Sequence, residues 1–220
     1  MADNVDGRTL NAVRAEQGAR HERKERTRRA LLDAALELLI DRGFSGVSLR
    51  EVTKRAGIVP TAFYRHFASM DDLGVALVEE SMRTLRTMIR AARTEPSTTT
   101  GVIRSSVRTL ARHVRAHEDH FRFVTRERYG GTGPVRRAIE VELKLLSREL
   151  AVDLARLDAL RDWSTEDLHM LAELIVTAML DTVLELLDSG PGRDEETMHT
   201  AEKRLRLIAL GIPAWRSKHR

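Results

Sequence analysis

The 220 residues hold 37 Lys+Arg against 33 Asp+Glu, no cysteine, 5 prolines and 4% aromatics. Without cysteine there are no disulfides and no thiolate chemistry. No apolar run approaches the roughly 20 residues of a bilayer span, and the first twenty residues lack the apolar core of a signal peptide, so a soluble, cytoplasmic chain with no membrane partner is expected. Abundant Leu, Ala, Arg and Glu with little Pro favour an all-α fold.

Residues 1–20 lack hydrophobic periodicity and are expected to be a disordered arm. The charge excess lies at this end of the chain: residues 1–68 carry 13 basic and 9 acidic side chains, and the remaining residues balance. The run RHERKERTRR at 20–29 is the most basic part of it. Such a run is a solvated arm unless a nucleic-acid reader follows. A helix is expected over residues 23–42, with Leu31, Ala34, Ala35, Leu38 and Leu39 on one face, Gly43 as its stop and Phe44 packing back on it.

Ser48-Leu49-Arg50-Glu51 is a capping box opening a second helix to about Ala56. Gly57 permits a tight turn at positive φ, Ile58 plugs the angle, and Pro60 suits the first turn of a third helix. Leu49, Val52, Ala56, Ile58, Phe63 and Phe67 satisfy a small core. Thr61, Ala62, Tyr64, Arg65 and His66 are then left outside, on a short buttressed helix beside a basic arm. A helix-turn-helix offers such a helix to the major groove.

Ser69-Met70-Asp71-Asp72 caps a helix expected over 70–93, long enough to join two domains. EPSTTTG at 95–101 interrupts the pattern. Helix resumes over 102–117, a short one follows over 119–128, and Tyr129-Gly130-Gly131-Thr132-Gly133-Pro134 is the strongest loop signal in the chain. Amphipathic helices are expected at 135–157 (Ala138, Leu143, Leu146, Leu150, Leu154), from Ser164 to 188 (Leu168, Leu171, Ile175, Met179, Val183, Leu187) and at 194–210. The broad apolar faces of the last two point to a two-fold four-helix interface, with Ile175 and Leu205 in it.

The stretch LLDAALELLIDRGFSGVSLREVTKRAGIVPTAFYRHFASMDDL, residues 31–73, resembles the TetR family of transcriptional repressors. The likeness rests on Ala34-Ala35, Gly43-Phe44, Ser48, Ala56-Gly57, Tyr64-Arg65-His66-Phe67 and Asp72-Leu73. It implies an N-terminal three-helix helix-turn-helix DNA-binding domain (21–68) and a C-terminal helical ligand-binding and dimerisation domain (69–213), with a basic tail at 214–220. VPTAFY at 59–64 and HFRFVTRERYGG at 120–131 resemble the FabR/DesT-type repressors of unsaturated fatty acid synthesis, which sense acyl thioesters. One departure is Met70, where many members have a phosphate-contacting Lys. Either Arg65 or the basic arm substitutes, or that contact is absent.

The resemblance implies double-stranded operator DNA, a homodimeric partner and a hydrophobic effector, with no cofactor and no resident metal. Thr61 and Ala62, next to Pro60 at the start of the reading helix, would touch base edges, although Thr61 can equally be a local cap. Tyr64 and His66 would bond phosphate, as would hydroxyls and backbone N–H groups offered by Thr27 and Ser48 at helix starts. Arg28, Arg50 and Arg65 add charge; Arg50 can equally be a solvated residue. For the effector, a long-chain acyl-CoA, the expected contacts are Val114, Phe121, Val124, Leu143, Met179 and Val183, with Arg126 and Arg128 at its phosphate-bearing end. Each apolar member has a plain core role as its alternative, and the two arginines can instead pair with Glu127 and Glu142. The competing effector is a different hydrophobic molecule, a drug or another metabolite. His113, His117 and His120 have helical metal-ligand spacing, but an ordinary polar face and the edge of a ligand pocket is the reading preferred over a metal site. No glycine-rich phosphate loop follows a strand and no nucleophile-base set stands out, so an enzyme is not expected. A partner-binding adaptor would need neither the exposed helix nor the basic half.

Overall fold

The computed structural model describes residues 5–40, 42–92, 99–190 and 192–217. Its first helix, α1, spans Val5–Leu38, far longer than expected. The segment expected as an irregular arm is helical from Val5 on. Its Ala, Arg, Glu and Gln content favours helix, and extending a formed helix costs little. Residues 18–26 are exposed, so no packing holds that stretch in place. At the other end α1 stops before Gly43, which has φ −71° and opens a 3-10 turn, Phe44–Gly46, instead. The terminator is long-range. Arg126 donates to the Leu39 and Ile40 carbonyls at 2.9 and 3.3 Å, capping the helix end from a distant element.

The next three elements follow their local signals. Helix α2, Leu49–Arg55, starts at Ser48 with both halves of the capping box in place. Gly57 has φ +69°, in the left-handed region that favours glycine. Helix α3, Pro60–Phe63, is a single turn begun by Pro60. Helix α4, Met70–Ala92, begins where the Asp72 N–H donates to the Ser69 hydroxyl at 3.1 Å.

The second half is a bundle of long helices: α5 Thr99–Ala116, α6 Glu118–Gly130, α7 Gly133–Leu154, α8 Thr165–Asp188 and α9 Asp194–Gly211. No strand occurs among the described residues. Of the linker expected at 95–101, Thr99 to Gly101 are helical and the remainder lies outside the described residues. The loop expected at 129–134 shrinks to Gly131 and Thr132. The Gly131 N–H donates to the Glu127 carbonyl, a Cβ on Gly131 would lie 2.5 Å from that same oxygen, and the Thr132 hydroxyl bonds Asp71 at 2.8 Å. Here glycine marks close approach rather than looseness. Ser164 caps α8 by accepting from the Asp167 N–H. The basic tail expected from 214 is not loose as far as 217: the Ser217 hydroxyl accepts from the Ser164 N–H at 2.7 Å and donates to Asp167 at 2.5 Å.

The expected boundary at 68/69 is not a boundary in packing. One apolar cluster contains Leu31 and Ala35 of α1, Val52, Phe63, Phe67, Leu73 and Leu77 of α4, Phe123 of α6 and Ile139 of α7. Phe44 meets Phe123 edge to face at 6.3 Å. Gly74 lets α4 cross this contact tightly, since a Cβ there would sit 2.6 Å from Val135 and 2.7 Å from Phe44. No described helix is long and apolar enough to cross a membrane.

Candidate nucleic-acid interface and ligand cavity

Phe63 is fully buried, and its chain neighbour Tyr64 is 63% exposed with the two rings edge to face at 5.6 Å. Pro60, Thr61 and Arg65 are exposed, Ala62 and His66 half-buried, and Arg50 on α2 is exposed beside them. The Arg28 guanidinium lies 5.0 Å over the Phe67 ring, which holds its charge at the edge of this face. Burial, reinforced by the charges of Lys24 and Arg28, holds the His66 imidazole below its usual range. Its Nδ1 is buried and meets no partner among the described residues.

Of the two hydroxyls expected at helix starts, only that of Ser48 is at one. Thr27 lies inside α1 rather than at a helix start, and its hydroxyl donates to the Arg23 carbonyl at 3.0 Å, because the helix extends well before it. The Ser48 hydroxyl and N–H both serve the capping box, donating to the Glu51 carboxylate at 2.7 and 2.9 Å. These bonds, then the Arg42 contact, lower the Glu51 carboxyl to about 2.

Behind this unit the bundle encloses a cavity of about 510 Å³ between α4, α5, α6, α7 and α8. Phe121, Val124, Leu143, Met179 and Val183 line it as expected from the sequence, together with Met82, Leu85, Leu110, Leu146, Leu150, Val176 and Leu180. Three expected residues do not. Val114 is fully buried in helix packing against Leu186 and Leu187. Arg126 points to the end of α1, as described above. Arg128 lies over the Tyr129 ring at 5.3 Å. Arg126 falls on the part of α6 turned from the side that carries Phe121, Val124 and Thr125 to the cavity, whereas Arg128 continues that side one turn beyond the lining. Of the polar lining, His120 was expected at a pocket edge; Ser81, Ser105, Ser106, Thr109 and Thr125, with Asp153 and Arg156 paired at 3.4 Å, were not anticipated.

The His113, His117 and His120 rings do approach in sequence, with centroids 6.4 and 6.2 Å apart. Yet Nδ1 of His113 bonds the Thr109 carbonyl and Nδ1 of His120 the Ser81 hydroxyl, and no group of three or more His, Asp or Glu among the described residues is placed to hold a metal.

The cavity and the DNA-reading unit share α6. Next to Arg126, Glu127 is 2% exposed, and its carboxylate accepts the Phe44 N–H at 2.9 Å. Glu127 follows Phe123 and Val124 at helical core spacing, and a carboxylate on such a stripe signals a buried hydrogen-bond partner. On α4, Glu80 forms an ion pair with Arg29 of α1. Sequence spacing alone pointed to neither contact.

A family model described as bacterial regulatory proteins of the tetR family matches residues 31–77, and one described as the tetracyclin repressor-like C-terminal domain matches residues 99–211. The chain belongs to the TetR family of DNA-binding transcriptional regulators, and it is not an enzyme. Members bind operator DNA as dimers and respond to small-molecule effectors. Among solved structures it is similar to a TetR-family regulator of Streptomyces coelicolor at TM-score 0.65 and 22% identity, over 84% of this chain and 97% of that one. It is also similar to the fatty acid degradation regulator FadR of Bacillus halodurans (TM-score 0.67, 16% identity, 87% and 97% covered). A third is FadR of Bacillus subtilis in complex with stearoyl-CoA (TM-score 0.66, 16% identity, 83% and 97% covered). At these identities the likeness is one of fold.

Proposed function

We propose that the protein is a cytoplasmic homodimeric repressor whose grip on its operator is set by a long-chain acyl thioester, with genes of fatty acid synthesis or desaturation as its targets. The observation that carries the effector part is the cavity: about 510 Å³, mostly apolar, and walled by the same α4 and α6 that touch the DNA-reading unit. A cavity of this size suits one fatty chain or one drug-sized molecule. Each buried CH₂ contributes ~0.8 kcal/mol, while switching needs a difference between states of only ~1–3 kcal/mol. The stearoyl-CoA bound by the Bacillus subtilis relative supports the choice of ligand class.

Thr61 and Ala62 are assigned to base edges, and Tyr64, Arg65, Arg28 and His66 to phosphates, with half-sites read ~34–36 Å apart. The dimer is assigned to α8 and α9, where Met170, Leu174, Leu207 and Leu210 are exposed. Ile175 and Leu205 are not the residues for this role, since Ile175 lines the cavity and Leu205 is buried within the subunit. With Arg126 committed to α1, the phosphate-bearing end of the effector is assigned to the solvent side of the cavity rather than to that arginine.

A second reading keeps the repressor and replaces the effector with another hydrophobic molecule, a drug or metabolite. The neutral hydroxyl lining of Ser105, Ser106 and Thr109 favours it. Acyl-CoA species of graded length and unsaturation, added to a protein–operator complex followed by anisotropy, decide between them. Operator affinity that shifts with chain length supports the acyl reading. No shift at saturation with any acyl-CoA, alongside a shift with an unrelated apolar compound, leaves only the second.

A further inference from the structure

We propose that His120 is the polar anchor of the cavity and that it selects a ligand whose buried polar group is an uncharged hydrogen-bond donor, a hydroxyl or amide N–H, on an otherwise apolar molecule. The inference rests on the reading of the cavity as the effector site. An acyl thioester meets the requirement through the amide N–H groups of its arm, a long-chain alcohol through its hydroxyl. The shared chemistry is the donor.

The geometry fixes which ring nitrogen is bare. The Ser81 hydroxyl oxygen lies 2.8 Å from the Leu77 carbonyl and 2.8 Å from His120 Nδ1. A hydroxyl has one proton, and a carbonyl can only accept, so that proton goes to Leu77. Nδ1 must then carry the hydrogen and donate to Ser81. In a neutral imidazole protonated at Nδ1, Nε2 is a lone-pair acceptor. No other hydrogen bond to this ring occurs among the described residues, and His120 lines the cavity. Burial, the largest influence, holds the imidazole below its usual range; Glu80 and Asp119 favour the charge, and His117 and Arg29 oppose it.

The rest of the lining agrees with an uncharged guest. Its one arginine, Arg156, pairs with its one aspartate, Asp153. The other polar members are hydroxyls, and that of Thr125 already donates to the Phe121 carbonyl at 2.8 Å. A carboxylate or bare carbonyl facing Nε2 would set two acceptors against each other, and an apolar end would leave the nitrogen unpaired. The anchor is also placed to be felt by the DNA-reading unit. Ser81 follows Glu80, whose carboxylate holds Arg29 of α1.

The test uses the full-length protein and three probes of equal chain length: 1-decanol, its methyl ether and decanoate. Affinities are read by calorimetry at pH 7. The alcohol should bind about tenfold more tightly than the ether, the size of one buried hydrogen bond lost with its acceptor left unpaired. In His120→Phe the preference should fall to about unity while ether binding persists. His120→Gln, which keeps an acceptor, should retain part of the preference, and Ser81→Ala, which frees the tautomer, should weaken it. Thermal melts check that each variant folds. The proposal is overturned if alcohol and ether bind equally to the wild type, if the preference survives in His120→Phe, or if decanoate binds best with proton uptake. If no probe binds, or if the space-filling Leu146→Trp leaves their binding unchanged, the cavity is not the effector site and both readings fall.

Discussion

Around Phe63 the end of α1 and the two short helices α2 and α3 close a small core in which Leu31, Val52 and Phe67 are all buried. Around Met179 the long helices enclose about 510 Å³ of space. One long helix and two short ones thus build the solid half, and five helices of several turns each build the hollow half. A reader of DNA must hold three or four side chains in fixed register, which a packed core with a proline start and a capped neighbour achieves. A sensor must keep room for a guest, and only helices with other faces firmly packed can leave one face underfilled.

The sharpest way to break this contrast is to truncate each half. Phe63→Ala should cost ~3–5 kcal/mol, whereas Leu146→Ala, beside existing empty space, should cost nearer ~2 kcal/mol. Denaturant unfolding of both variants measures this, and equal costs would mean that the space is not there in solution. The next effect concerns assembly. Leu174→Arg with Leu207→Arg should give monomers that still fold, because the two leucines are 54% and 70% exposed in the single chain. Sedimentation velocity reads the result, and a persistent dimer places the interface elsewhere.

Within the solid half, Tyr64→Ala should weaken binding to every duplex, while Thr61→Ala should alter sequence preference. Titrations against specific and scrambled duplexes over a salt series separate the two. Wild-type curves for both would remove α3 from the interface. Arg126→Ala tests the join between halves. It loses the bonds to the Leu39 and Ile40 carbonyls, worth ~1 kcal/mol net. It should blunt the operator's response to effector while leaving effector binding intact, which calorimetry and anisotropy together resolve.

The smallest effect is a pH dependence. The Glu51 carboxyl is lowered from 4.5 to about 2 in the folded chain. A depressed carboxyl contributes stability that is present above its unfolded value and lost as pH falls toward its folded value. The capping-box contribution should therefore fade between about pH 4.5 and 2. Ser48→Ala should flatten the stability profile in that window, and an unchanged slope there would show that the box contributes nothing.

The two halves also differ in how far they could be read from the chain. Ser48 with Glu51, Gly57 and Pro60 act within a few residues of themselves, so α2, the turn and α3 were legible. The apolar stripes of α7 and α8 announced helices, and Phe121, Val124, Leu143, Met179 and Val183 were found for the cavity wall. What failed were features fixed by distant partners. Gly43 looked like the end of α1, but Arg126 ends it. The glycines after Tyr129 looked like a loop, but Gly130 and Gly133 are helical and Gly131 permits close packing on Glu127. Arg126 looked like a ligand contact because its neighbours are aromatic, and only the turn of α6 shows that it faces away. A periodic stripe tells which face is apolar; it does not tell whether that face meets a side chain or a void.

The contact between Ser217 and the start of α8 bears on how the protein is handled in the laboratory. Ser217 supplies a hydrogen bond to the Ser164 N–H and is the first of the contacts holding the Asp167 carboxyl below its usual range. An affinity tag or fluorescent fusion attached within a few residues of Ser217 is therefore expected to disturb the first turn of a helix that walls the cavity and carries the proposed dimer face. A reporter built that way would register its own attachment as a change in ligand response, so labels belong elsewhere on the surface, and variants trimmed before Ser217 should be expected to bind effector differently.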